Sequence, residues 1–301
     1  MASAPPIRVD DGTVSPPRRG FKKGLYLIPS LFTAANIGMG FFSLMATLRG
    51  FQLLSDKGGR DIAGAAAYFD AAAKAIGWAF LFDALDGRIA RMTKTATEIG
   101  VQFDSIADVV TFGIAPAVLA YAWGYGSALE EGSDAHKLAW FLSFMYLMCG
   151  SFRLARFNVQ AARPRVLAEG AVKVDKKSFV GLPIPAAAAL IAAIVHFAPQ
   201  PLVSYNLRFA ELYSGLMMAL VGVLGAMMVS TLRYTSFKSV GTRRRSARVI
   251  ILLVALGALV WLFSRHVLLA ITIFYVLHGL IFRLGAIFRR HPDKTDTEPT
   301  H

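Results

Sequence analysis

The sequence predicts an all-α fold, a polytopic bundle of about eight transmembrane helices, on three observations. First, 55% of the 301 residues are hydrophobic and mean hydropathy is +0.51. That is more apolar than an ordinary soluble domain and fits a chain built from membrane spans. Second, apolar runs of spanning length alternate with short charged or turn-rich stretches. Third, Lys and Arg concentrate in every second connection, the pattern of a chain threaded back and forth through a bilayer. The formal net charge of +13 would suggest nucleic acid in a soluble protein. In a membrane protein it reads as topology bias and as attraction to anionic headgroups or phosphate substrates, with no nucleic-acid partner. One cysteine, Cys149, excludes an internal disulfide.

Taken in order, residues 1–24 are basic and Pro-containing with no apolar core of a secretory signal, and read as a disordered arm. The spans follow at 25–48, 66–92, 101–124, 138–160, 181–198, 212–232, 248–264 and 267–287. The second and third are interrupted by aspartates. Only Ser264, Arg265 and His266 separate the last two, so 248–288 reads as a C-terminal transmembrane hairpin beside a catalytic transmembrane domain over 25–232. Residues 289–301 read as a disordered tail. The connection 161–180 is too short to fold alone, and no internal repeat is visible.

Counted with the span ends that adjoin them, the N-terminal arm, the second-to-third, fourth-to-fifth and sixth-to-seventh connections and the C-terminal end hold five, three, seven, six and four Lys or Arg residues. The alternate connections hold Arg49, Lys57, Arg60, Lys137, Arg208 and Arg265. The positive-inside rule then puts both termini, and the mouth of the aspartate hairpin, on the cytoplasmic side of a bacterial-type inner membrane. Glu130, Glu131 and Asp134 fall on the other side.

Four aspartates are the chemical anomaly. The stretch Asp83-x2-Asp86-Gly87-x2-Ala90-Arg91-x8-Gly100-x3-Asp104-x3-Asp108 lies within two apolar spans, where carboxylates are costly and mark function. Each pair, three or four residues apart, shares one helix face. Asp86 and Asp104 both lie nine residues from residue 95, in the polar stretch Thr93–Thr97; Asp83 and Asp108 lie twelve and thirteen away. If that stretch is the turn, the pairs meet at matching depth, about 14–20 Å from the tip at 1.5 Å per residue. One four-carboxylate cluster is expected, and four bare anions in a low dielectric need neutralising. All-oxygen ligation selects hard cations, Mg²⁺ or Mn²⁺, with Ca²⁺ also compatible. Four carboxylates can hold two ions, the arrangement suited to phosphoryl displacement. Gly87, Ala90 and Gly100 let a helix or a diphosphate approach closely, and Arg91 can grip phosphate oxygens. The spacing excludes an EF-hand. An ion-pair network with Arg88 and Arg91, or a cation pathway in a transporter, are the competing readings.

The stretch Asp83–Asp108 resembles the complete signature of the CDP-alcohol phosphatidyltransferases, integral membrane enzymes that move a substituted phosphate from a CDP-linked donor to an alcohol and release CMP. Leu27-Ile28-Pro29-Ser30-Leu31-Phe32-Thr33 resembles the family's first-helix element near the nucleotide, with Ser30 where Asn is usual. The segments Asp104–Pro116, Arg153-Leu-Ala-Arg156-Phe-Asn158 and Phe179-Val-Gly-Leu-Pro-Ile-Pro185 resemble the serine-accepting branch, the phosphatidylserine synthases. The resemblance implies CDP-diacylglycerol and L-serine as substrates, two divalent ions as cofactor and a homodimer. It implies that Asp83, Asp86 and Asp104 are metal ligands, and that Asp108 is the general base and a further ligand. Thr33, Gly87, Arg91 and Gly100 would contact CDP-diacylglycerol.

A serine acceptor carries a carboxylate that needs a cation. Arg153 and Arg156, with Asn158 beside them, are the acceptor candidates; snorkelling to headgroups is the other reading of the arginines. Glycerol 3-phosphate, inositol phosphate and choline remain alternative acceptors. Arg163, Arg165, Lys173, Lys176, Lys177 and the run Arg243-Arg244-Arg245 read as topology and lipid-surface charge. His196, His266 and His278 look isolated and receive no ligand role. Asp70 and Lys74 are spaced as a helix pair; Gly215, Gly222 and Gly225 read as helix packing.

Overall fold

The computed structural model describes residues 20–55, 60–93, 98–162, 178–230, 233–235 and 247–288. The chain begins with α1 (Gly20–Ser55) and α2 (Ile62–Thr93), which pack along one another. α1 starts inside the segment expected to be an unstructured arm; residues 1–19 and the tail 289–301 lie outside the described residues, as do the loop cations Arg163–Lys177 and Arg243–Arg245. α2 is started by Asp61, whose Oδ1 accepts the Gly64 N–H at 2.8 Å, a side-chain cap for an otherwise unpaired donor.

The third span is a composite. α3 (Glu98–Asp108) runs into a π-helical segment at Val109–Ile114, then α4 (Ala115–Ala120), then a second π turn at Tyr121–Tyr125. The sequence reading gives this region as one apolar span, 101–124, interrupted by an aspartate. The first bulge begins at the residue after Asp108 and buries Thr111, Phe112 and Gly113, and such bulges are frequent at functional positions. Ser133 caps α5 (Asp134–Ala162) by accepting the His136 N–H at 3.2 Å. A short antiparallel ribbon, β1 (Ser178–Val180) with β2 (Arg233–Thr235), ties the segments before α6 and after α7. Gly181, at φ +87°, turns the chain out of β1 where a side chain would collide with the Met228 carbonyl. α6 (Ile184–Phe197), α7 (Leu207–Val229) and α8 (Ala247–Phe288) complete the bundle.

Among the described residues, α1, the α3–α4 composite, α5, α6, α7 and α8 each contain a stretch long and apolar enough to cross a membrane. α2, with 32 residues, is long enough, at about 1.5 Å per residue, to cross a core of about 30 Å. Its interior acids and bases lower its hydropathy. The chain is an integral membrane protein. α6 is the buried centre: Ile184, Ala187, Ala188, Ile191 and Val195 are sealed against Phe69, Ile76, Phe112, Leu119, Tyr146, Leu224 and Met228. Large apolar side chains on the outside, among them Phe41, Trp78, Trp140 and Leu216, face outward, as expected where lipid is the solvent.

The last two expected spans form one element. α8 has 42 residues with a single non-helical residue, Phe263 (φ −130°, ψ 41°), one position before the Ser264–His266 separator. At about 1.5 Å per residue it is roughly twice the thickness of a hydrocarbon core, and its candidate membrane span, Gly257–Gly279, runs through the kink. Gly222 and Gly225 let α7 pack on α5: a Cβ at Gly222 would come within 3.3 Å of Leu142, and one at Gly225 within 3.5 Å of Tyr146 Cα. A Cβ at Gly215 would meet nothing within 4 Å, so its expected packing role is not seen among the described residues.

His196 is not isolated. Its Nδ1 lies 2.5 Å from Asp70 Oδ1 and its Nε2 lies 2.9 Å from Ser264 Oγ. Asp70 also holds Lys74 at 2.7 Å, as its spacing suggested. This chain of contacts clamps α2, α6 and the kink of α8 at one end of the bundle.

Candidate active site

Asp83 and Asp86 sit on α2, Asp104 and Asp108 on α3. The two helices are joined through residues 94–97, which lie outside the described residues. Spacing symmetric about residue 95 brings the pairs to matching depth. One carboxylate oxygen from each of Asp83, Asp104 and Asp108 falls within 4.8 Å of the others. Asp86 lies within electrostatic reach of Asp83 and Asp104, but its Oδ2 accepts a hydrogen bond from Thr33 Oγ1 of α1. The expected four-carboxylate cluster is therefore a set of three with a fourth member tethered to α1. Asp86 and Asp108 are buried, Asp83 and Asp104 partly so.

Three like charges this close are mutually repulsive, and Asp108 Oδ1 is buried without a hydrogen-bond partner. A hard divalent cation meets both needs. The donors are all oxygens, and Asp83, Asp104 and Asp108 could hold such an ion between them. The residues present fit a divalent metal.

The flanking residues complete the site. Gly87 and Gly100 are exposed near the mouth of the hairpin. The side chains of Ala90 and Arg91 lie outside the described residues. Arg153 of α5 is buried, acts electrostatically on Asp108 and Tyr275, and leaves its Nε unpartnered. A snorkelling arginine would be exposed, so burial favours a polar site over that reading. Arg156 is half-buried beside it. Asn158 donates its Nδ2 to Ser105 Oγ at 2.7 Å, and Ser105 donates to the Val101 carbonyl. Asn158 thus fastens the end of α5 to α3 next to Asp104. A cavity of about 580 Å³, lined by Arg60, Tyr121, Glu131 and His136 among others, opens at the opposite end of the bundle and holds no convergent carboxylates.

Sequence reasoning missed Tyr275 of α8, Thr111 of the π bulge and Asn36 of α1. Thr111 donates to the Asn36 carbonyl at 3.2 Å. A polar residue inside an apolar span was the only signal for each.

An α-helical membrane bundle with carboxylates converging from two neighbouring helices is an arrangement able to hold a divalent cation and suited to phosphoryl displacement. A family model described as CDP-alcohol phosphatidyltransferase matches residues 26–221, and the chain belongs to that family. It is 31% identical over 259 residues to a CDP-diacylglycerol–serine O-phosphatidyltransferase of Helicobacter pylori, covering 85% of this chain and 91% of that one. It is 37% identical over 129 residues to a Saccharomyces cerevisiae protein of the same name, covering 42% of each. An archaetidylserine synthase of Methanothermobacter thermautotrophicus is 28% identical over 216 residues, 71% of this chain and 72% of that one.

Proposed function

We propose that this membrane enzyme transfers the phosphatidyl group of CDP-diacylglycerol to the hydroxyl of L-serine, giving phosphatidylserine and CMP. The observation that carries the reading is the convergence of Asp83, Asp104 and Asp108 within 4.8 Å, beside buried Arg153, in a chain of this family. The serine hydroxyl attacks the lipid-side phosphorus; the new O–P bond forms as the bond to the CMP phosphate breaks. Asp108 receives the hydroxyl proton as attack proceeds. Asp83, Asp86 and Asp104, with Asp108 as a further ligand, would hold two divalent ions, Mg²⁺ or Mn²⁺. Bound metal supplies charge neutralisation at the diphosphate and stabilises the leaving phosphate.

Thr33 orients Asp86 through its hydroxyl. Gly87 and Gly100 leave room for the diphosphate to approach the backbone, and Arg91 pairs with its oxygens. Arg153 and Arg156 meet the serine carboxylate, and Asn158 steadies the wall they stand on. The Lys/Arg distribution supports cytoplasmic termini and a site opening to the cytoplasm; a homodimer is part of the same proposal. The test is CMP release from CDP-diacylglycerol by the purified chain. Release that requires both added L-serine and Mg²⁺ or Mn²⁺ is expected. Release supported by glycerol 3-phosphate or inositol phosphate but not by serine would overturn the acceptor, and no release would overturn the reaction.

A further inference from the structure

Asn36 lies in the middle of α1, fully buried, and neither its Oδ1 nor its Nδ2 has a hydrogen-bond partner. A buried carboxamide with both ends unpaired is rare in a native structure and calls for an explanation. Its position supplies one. Thr33 is one helical turn earlier on the same face of α1 and binds Asp86. The Asn36 carbonyl accepts from Thr111, one turn beyond Asp108. Gly40, one turn further on, lets α1 close on Thr111, where any Cβ would collide. Asn36 thus belongs to the stretch of α1 that Thr33 ties to Asp86 on α2 and that its own backbone carbonyl ties to Thr111, just beyond α3. Asp108 Oδ1 and Arg153 Nε are likewise buried and unpartnered among the described residues.

We propose that Asn36 is a specificity-determining residue of the acceptor subsite, its carboxamide reading the zwitterionic end of the acceptor while Asp108 faces the hydroxyl. This inference rests on the serine-transfer reading. A carboxamide carries an acceptor and two donors. Its oxygen suits an ammonium group and its Nδ2 a carboxylate, so one side chain can meet both charges of an amino acid. Arg153 adds a cation for the same carboxylate. An acceptor lacking either group would leave a buried partner unsatisfied, which is the strongest form of discrimination such a pocket has.

The full-length chain, reconstituted with CDP-diacylglycerol, tests this with two variants and an acceptor panel. Asn36→Ala should raise the serine KM about tenfold or more while the CDP-diacylglycerol KM stays within about twofold. Asn36→Ser, which keeps a donor and an acceptor in less volume, should fall between the two. For the wild type, ethanolamine (no carboxylate) and 3-hydroxypropionate (no ammonium) should each compete at least about tenfold more weakly than L-serine, and Asn36→Ala should narrow both gaps. An unchanged serine KM, or an equal rise in the CDP-diacylglycerol KM, would overturn the assignment. So would equal competition by all three compounds in the wild type, a result that needs no variant to fold. Absence of serine-dependent CMP release in the wild type would instead strike the reading beneath it.

Discussion

The bundle holds two polar clusters on one helix, and they are built on opposite principles. Asp70 lies 13 residues before Asp83 on α2, about 20 Å along the axis. At its end, Asp70, Lys74, His196 and Ser264 satisfy one another across three helices. At the other end, Asp83, Asp104 and Asp108 are gathered with like charges adjoining, and Asp108, Arg153 and Asn36 keep unpartnered atoms. Both clusters sit in an apolar bundle where unpaired polar groups are penalised. The first needs nothing more and behaves as a clamp. The second is left with unpartnered buried atoms, and that incompleteness makes it the candidate site.

The contrast breaks most sharply with the general base. Asp108→Asn keeps the shape but removes the proton acceptor, so kcat should fall by roughly 10²–10⁴-fold; wild-type turnover would remove Asp108 from that role. Chelation comes next. Treatment with EDTA should abolish CMP release, and Mg²⁺ or Mn²⁺ should restore it. Activity that persists after exhaustive chelation would make the carboxylates an ion-pair network instead. Arg153→Lys keeps the charge but loses the planar fork, and should raise the serine KM by about tenfold, more than the CDP-diacylglycerol KM; the reverse order would move Arg153 to the donor.

The smallest effect belongs to the clamp. His196→Ala should cost about 1–3 kcal/mol of stability, read as a lower melting temperature, with both KM values near wild type. A selective loss of serine affinity would mean that the two ends communicate.

The convergence of the aspartates was legible because its information is local. Carboxylates placed evenly about residue 95 on two adjoining helices come to matching depth, and Asp83, Asp104 and Asp108 meet there. The spans were legible for the same reason, through run length and hydropathy. What escaped depends on contacts between distant positions. His196 looked isolated because Asp70 and Ser264 are 126 and 68 residues away. The tie of Asp86 to Thr33 went unread because the two residues are 53 positions apart. The π bulge after Asp108 leaves no composition signal, and Asn36 is one polar residue in a long apolar helix. The sequence reading puts a hairpin turn at Ser264–His266, where the apolar run is interrupted; the structure has a kink at Phe263 within one helical element.

Binding of Mn²⁺ to the purified chain, followed by electron paramagnetic resonance, tests the central contrast without requiring turnover. Saturable binding is expected in the wild type, undiminished in His196→Ala and lost in Asp83→Ala and Asp104→Ala. Binding that survives in the aspartate variants, or falls equally in His196→Ala, would contradict the assignment of one cluster to ligands and the other to the fold.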